Sequence, residues 1–226
     1  MRKLLAAFAF VALTAPLTPA FAETEHVTKT INFEPGGTLE LKTFSGHVTI
    51  IGTDSNQVVV DATRHASQER LDRIKLDVYA SGSTVYIDTN HRDSSSWFHN
   101  NNVVETDIEV KVPRRTNVRV NTFSASVEVD RVDGQHSVHG FSSRVRLDSV
   151  AGPVDVQTFS GNIEVRVPET ARGHVSFKTF SGHLDSEAPL TLHSSSRKNL
   201  SAELGSGGDA PALRFHTFSG SVKILR

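Results

Sequence analysis

The chain has 226 residues, 24 Lys and Arg against 25 Asp and Glu, and no cysteine. That length suits one domain. Near-neutral charge with no basic cluster excludes a nucleic-acid footprint. The lack of cysteine excludes disulfide staples and a thiol-attached lipid anchor.

The chain opens as a secretion signal. Arg2 and Lys3 form the positive end, Leu4 to Leu13 the apolar stretch, and Ala20-Phe21-Ala22 a small-x-small cleavage site. Cleavage is expected before Glu23, so residues 1–22 are a signal peptide and 23–226 a single domain. The apolar stretch is too short for a spanning helix, and the mature chain is expected to have no membrane span. Without residues 1–22, 22 bases face 25 acids, a net charge of −3.

A first strand runs through Val27, Lys29, Ile31 and Phe33 and ends in the turn Glu34-Pro35-Gly36-Gly37. Leu39-Glu40-Leu41 leads into Thr43-Phe44-Ser45-Gly46. This motif returns as Thr122-Phe123-Ser124-Ala125, Gly140-Phe141-Ser142-Ser143, Thr158-Phe159-Ser160-Gly161, Thr179-Phe180-Ser181-Gly182 and Thr217-Phe218-Ser219-Gly220. The gaps between the six Phe residues are 79, 18, 18, 21 and 38. A unit of 18–21 residues is too short for paired helices and fits one coil of a β-solenoid. The fold class expected is therefore all-β, a single-chain, β-helix-like solenoid. The gap of 38 reads as two units, with the last motif as the terminal coil.

Alternation surrounds each motif. Val118, Val120 and Thr122 share one parity; Phe123, Ala125, Val127 and Val129 share the other. The chain must bend between them. With the bend at the Thr-Phe step, the rings of Phe44, Phe123, Phe141, Phe159, Phe180 and Phe218 point inward as a structural ladder. Phe→Ala in a middle coil would then cost about 3–5 kcal/mol. The rival reading turns the rings outward, as an aromatic ladder for sugar or peptide. The Thr and Ser hydroxyls are expected to form ladders at the bend.

Residues 67–73 are the one place for a short helix. Val85-Tyr86-Ile87 follows as a hairpin, or as a degenerate coil with Tyr79 in the Phe position. Residues 90–102 form a polar inserted loop carrying the single Trp. Trp97, Phe98 and His99 are candidate partner contacts there. The bland reading leaves them in an idle loop.

The residues give no catalytic, cofactor or metal expectation. The 11 His are scattered on polar positions, and no His-Glu-x-x-His occurs. There is no Gly-x-Ser-x-Gly elbow and no phosphate loop. His136 and His139 are three apart and read as surface residues.

Val110-Lys111-Val112-Pro113-Arg114-Arg115-Thr116-Asn117-Val118-Arg119-Val120 and the repeated Ser-Gly-x-Val-x-Val carry a resemblance. The chain resembles the bacterial "putative adhesin" family of exported β-strand-repeat proteins, a domain of unknown function. That family commonly has Thr-x-Ser-Gly followed by an acid. Here Phe fills x, and Ser126, Asn162, His183 or Ser221 replaces the acid. The resemblance implies an exported periplasmic or extracellular protein of the cell envelope, with no catalytic residues to transfer. The function expected is an adhesin-like or envelope-binding module, its partner an envelope polymer or another envelope protein. The alternatives are a periplasmic envelope-stress sensing scaffold and a polysaccharide hydrolase or lyase.

Overall fold

A computed structural model describes residues 22–92, 103–149, 151–196, 198–205 and 212–226. Trp97, Phe98 and His99 lie outside these residues.

The described chain is all-β with one short helix. Its elements are β1 (Glu23–Asn32), β2 (Thr38–Thr53), β3 (Gln57–Ala66), α1 (Gln68–Arg73), β4 (Ile74–Ser81), β5 (Thr84–Arg92) and β6 (Glu105–Pro113). There follow β7 (Asn117–Asp130), β8 (His136–Gly140), β9 (Val145–Asp148), β10 (Val154–Thr158), β11 (Ile163–Arg166), β12 (Gly173–Thr179) and β13 (Leu184–Ser186). The last four are β14 (Leu190–Ser195), β15 (Asn199–Leu204), β16 (Leu213–Thr217) and β17 (Val222–Leu225).

Two long bent strands set the pattern. β2 and β7 pair in parallel from Thr38 opposite Asn117 to Ile51 opposite Asp130. In later tiers the bend splits each strand into two short arms. β8 and β9 lie on the two arms of β7. β10 and β11 lie on β8 and β9. All of these pairings are parallel and keep the Thr-Phe-Ser motifs in line.

The tiers do not follow chain order. β16 and β17 sit between β10–β11 on one side and β12–β13 on the other. The expectation of a terminal last coil fails here. In-register parallel pairing needs matching side chains, not neighbouring sequence, so the motif at Phe218 can enter the stack between those of Phe159 and Phe180.

Antiparallel strands flank the two ends. β3 pairs with β6 and β1, and β4 forms a hairpin with β5 in which Tyr79 stacks on Tyr86 at 5.1 Å. Tyr79 is thus a hairpin residue and takes no Phe position. At the other end β12 pairs with β15, and β15 with β14.

Alternation accounts for the core. Leu39, Leu41, Val118, Val120, Val138, Val154, Val156 and Phe215 are buried on the first arms. Val48, Ile50, Val127, Val129, Leu147, Ile163, Val165 and Ile224 are buried on the second. These sets form one cluster. Each such side chain contributes about 1.5–3 kcal/mol of burial.

Two ionisable residues occupy inward positions. His136 takes the place that Val118 and Val154 hold in the tiers beside it, and it is fully buried. The surface placement expected for this histidine is overturned. Arg64 continues the buried parity of Val58, Val60 and Ala62. Its guanidinium donates to Glu25 and to the Ile74 carbonyl, next to the small cluster of Ala66, Leu71, Ile74 and Val104.

Candidate functional site: an exposed phenylalanine strip

The bend lies at Phe-Ser, one residue later than the sequence suggested. Thr43, Thr122, Thr158, Thr179 and Thr217 are buried. The next inward residue after Thr122 is Ala125, so Phe123 and Ser124 both face out. A parity break admits two neighbours facing in or two facing out. A corner convex toward water takes the second form.

The six rings are therefore outside. Their exposure runs from 37% at Phe44 to 56% at Phe180. The inward ladder expected from the shared parity of Phe123 and Val127 is overturned. The buried rings are Phe33, Phe177 and Phe215, the last two each two residues before a motif threonine.

The exposed rings stack in the order Phe44, Phe123, Phe141, Phe159, Phe218, Phe180, with centroids 4.7, 5.0, 4.9, 4.7 and 4.8 Å apart. These steps equal the strand spacing of a sheet and make a strip about 24 Å long. All but the first pair are within 5° of parallel. Each inner ring has both faces covered by its neighbours and shows water only its edge. The outer face of Phe180 carries Lys198, whose Nζ lies 4.2 Å from the ring centre.

The backbone holds the rings in step. Phe141 N–H donates to the Thr122 carbonyl and Ser142 N–H to that of Phe123; Phe159 and Ser160 repeat this against Gly140 and Phe141. Inside the corner, Thr89 Oγ1 donates to Thr43 Oγ1 at 2.9 Å, and the Ala125 N–H donates to Thr122 Oγ1 at 3.0 Å.

A half-exposed ring has less to lose than a core ring. Phe141→Ala removes two ring contacts and part of an apolar surface, and is expected to cost about 1–2 kcal/mol. Urea unfolding measures it. A loss of about 3 kcal/mol or more would place the ring in the core.

Grooves flank the strip. One, of about 770 Å³, is lined by Phe123, Phe141, Phe159 and Phe218, with Gly140 and the Thr residues at its base. Its far wall is formed by Lys42, Asn121, His139, Gln157 and His216, in the column two residues before each Phe, and Lys178 continues that column past the groove's end. In spatial order this column reads Lys42, Asn121, His139, Gln157, His216, Lys178, each opposite the next in register. All six are exposed. The groove on the other side, of about 700 Å³, is polar and serine-lined, with His47, Glu105, Arg144 and Asn162.

No protein-family model matches the chain, and no curated protein matches it. Solved structures do. A "putative cell adhesion protein" from Clostridium sporogenes is 12% identical, with a TM-score of 0.65 over 90% of this chain and 99% of that one. It shares the fold. A "putative adhesin" from Bacteroides fragilis is 9% identical, with a TM-score of 0.30 over 89% of this chain and 97% of its own. A "putative lipid binding protein" from Parabacteroides distasonis is 12% identical, with a TM-score of 0.32 over the same shares.

Among the described residues no helix is long and apolar enough to cross a membrane, and no group of three or more His, Asp or Glu is placed to hold a metal ion.

Proposed function

We propose that this chain is an exported, non-enzymatic β-solenoid that acts as an adhesin-like or envelope-binding module through its phenylalanine strip. The observation that carries the reading is the unbroken row of six half-exposed rings. A contiguous apolar strip in water marks a contact surface. The core does not need it, because Val, Leu and Ile, with Phe177 and Phe215, fill the interior.

Export rests on the sequence of residues 1–22 and on β1 beginning at Glu23, the residue after the expected cleavage site. The non-enzymatic reading has its own support. Hydrolysis of a glycoside commonly needs a pair of carboxyl groups about the scissile bond. The residues lining the apolar groove include no Asp or Glu.

The test is co-sedimentation of the purified protein with isolated envelope material. The double variant Phe141→Ser, Phe159→Ser is expected to bind at least about tenfold more weakly while remaining folded by circular dichroism. Unchanged binding would remove the strip from the function.

A further inference from the structure

We propose that the groove beside the phenylalanine strip holds a linear anionic glycopolymer, which lies along the stack with its charged groups toward His139, His216 and Lys178. The inference rests on the binding role given to the strip and deepens it by naming the ligand chemistry.

Charge is the first argument. The chain as a whole has slightly more acids than bases. Yet the five column residues that wall the groove include no acid, and with Lys178 next in register beyond His216 the column carries two lysines and two histidines. Lys42 is paired with Glu40 at 3.4 Å, and the one acid beside the middle of the wall, Asp155, accepts from Gln157 Nε2 at 3.2 Å, so the basic groups left facing the groove are His139, His216 and Lys178. The ring edges add to it. A stacked phenyl ring offers its positive C–H rim to the groove, and its negative face is hidden. An oxyanion is favoured on both walls.

The hidden faces also argue against a neutral sugar. Saccharide rings stack on open aromatic faces, and the inner rings of this strip have none. A second copy of the chain fits no better. Pairing strip to strip sets acid-free columns against acid-free columns, because the column three residues after each Phe (His47, Ser126, Arg144, Asn162, Ser221, His183) also lacks acids.

Backbone supply separates a glycan from a peptide. An extended peptide is captured by free N–H and C=O groups at a sheet edge. Along the groove those groups are used between tiers, through the strands and across the bend. What remains is a row of side-chain amides and imidazoles, Asn121, His139, Gln157 and His216. These are donors and acceptors suited to hydroxyls and carboxylates. The strip is also a ridge between two grooves, a shape that takes a chain better than a flat bilayer.

The test is titration of the purified protein with polygalacturonate, a teichoic acid, methyl-esterified polygalacturonate, poly-L-glutamate and phosphatidylglycerol vesicles. Polygalacturonate or teichoic acid is expected to bind at least about tenfold more tightly than the neutral ester, and more weakly as salt rises. Which of the two binds tells whether carboxylate or phosphodiester is recognised. Gln157→Glu places an acid mid-groove on an exposed strand position. It also loses the Gln157 donor to Asp155, and is expected to weaken binding about tenfold while remaining folded by circular dichroism. Equal binding of the ester, an unaffected Gln157→Glu variant, or failure of both polyanions overturns the proposal. Tighter binding to poly-L-glutamate or to vesicles does so too. If the Phe141→Ser, Phe159→Ser variant loses envelope material while Gln157→Glu does not, the strip stands as the site and only the anionic ligand falls.

Discussion

Gly161→Val is expected to destabilise the protein by about 3 kcal/mol or more, the upper range for forcing volume into a packed site. A Cβ on Gly161 would lie 2.0 Å from the Ser143 carbonyl oxygen of the tier beside it. The same approach recurs next in the stack. Gly220 would meet the Gly161 carbonyl, and Gly182 that of Gly220, each at 2.1 Å. Small residues two places after Phe are therefore needed for the closeness of the tiers. The rings point outward and do not crowd that position.

The neighbour cannot retreat. Ser160 N–H donates to Phe141 O at 2.7 Å and Val145 N–H to Asn162 O at 3.0 Å, which clamps the backbone on both sides of the contact. Urea unfolding gives the stability change from the midpoint at constant slope. A loss below about 1 kcal/mol would mean that the tiers part easily at the bend. Ala125→Gly, at the equivalent buried position of β7, serves as the mild control.

Acidification is expected to weaken the fold through His136. The ring is fully buried between Val118 and Val154, and its Nε2–H donates to the Val132 carbonyl at 3.1 Å. Burial pushes its pKa from 6.5 down to about 4, against the pull of the Val132 carbonyl and Asp133. The folded-state value lies below the unfolded one. Between them the unfolded chain holds the extra proton, so stability rises with pH. The contribution is complete above about pH 6.5 and is lost as pH falls through about 4. It amounts to about 3 kcal/mol. His136→Val, which continues the column of Val118 and Val154, should remove this part of the slope. An equal acid slope in wild type and variant would assign it elsewhere.

Much of the architecture was legible. The alternation of Val118, Val120 and Val127, Val129 gave the two arms, and the parity change gave the bend. What parity could not give was its sense. Phe123 belongs to the same set as Val127 whether the corner turns it in or out, and only the tier contacts at Gly161, Gly182 and Gly220 decide. The inner threonines offered a signal, since Thr43, Thr122 and Thr217 continue the buried parity of Leu41, Val120 and Phe215.

The buried histidine was readable in the same way. His136 shares parity with Val138, as Arg64 does with Ala62, and each polar residue on an apolar parity marks a special site. The groove wall was harder to see. Lys42, Asn121, His139, Gln157, His216 and Lys178 form a column only once the order of tiers is known. Spacing alone could not supply that order, because parallel pairing carries no memory of distance along the chain.

The intercalation of β16 and β17 has a kinetic consequence. β12 and β13 lie earlier in the chain, yet their parallel partners are strands about 35–40 residues later. The stack can grow from β2 through β11 in the order of the chain. It must then pause, with β12 to β15 held aside as an antiparallel flap, until residues 213–225 are laid on β10 and β11. That late wedge is expected to slow assembly and to leave two raw strand edges, on β10–β11 and on β12–β13, open to self-association until it arrives.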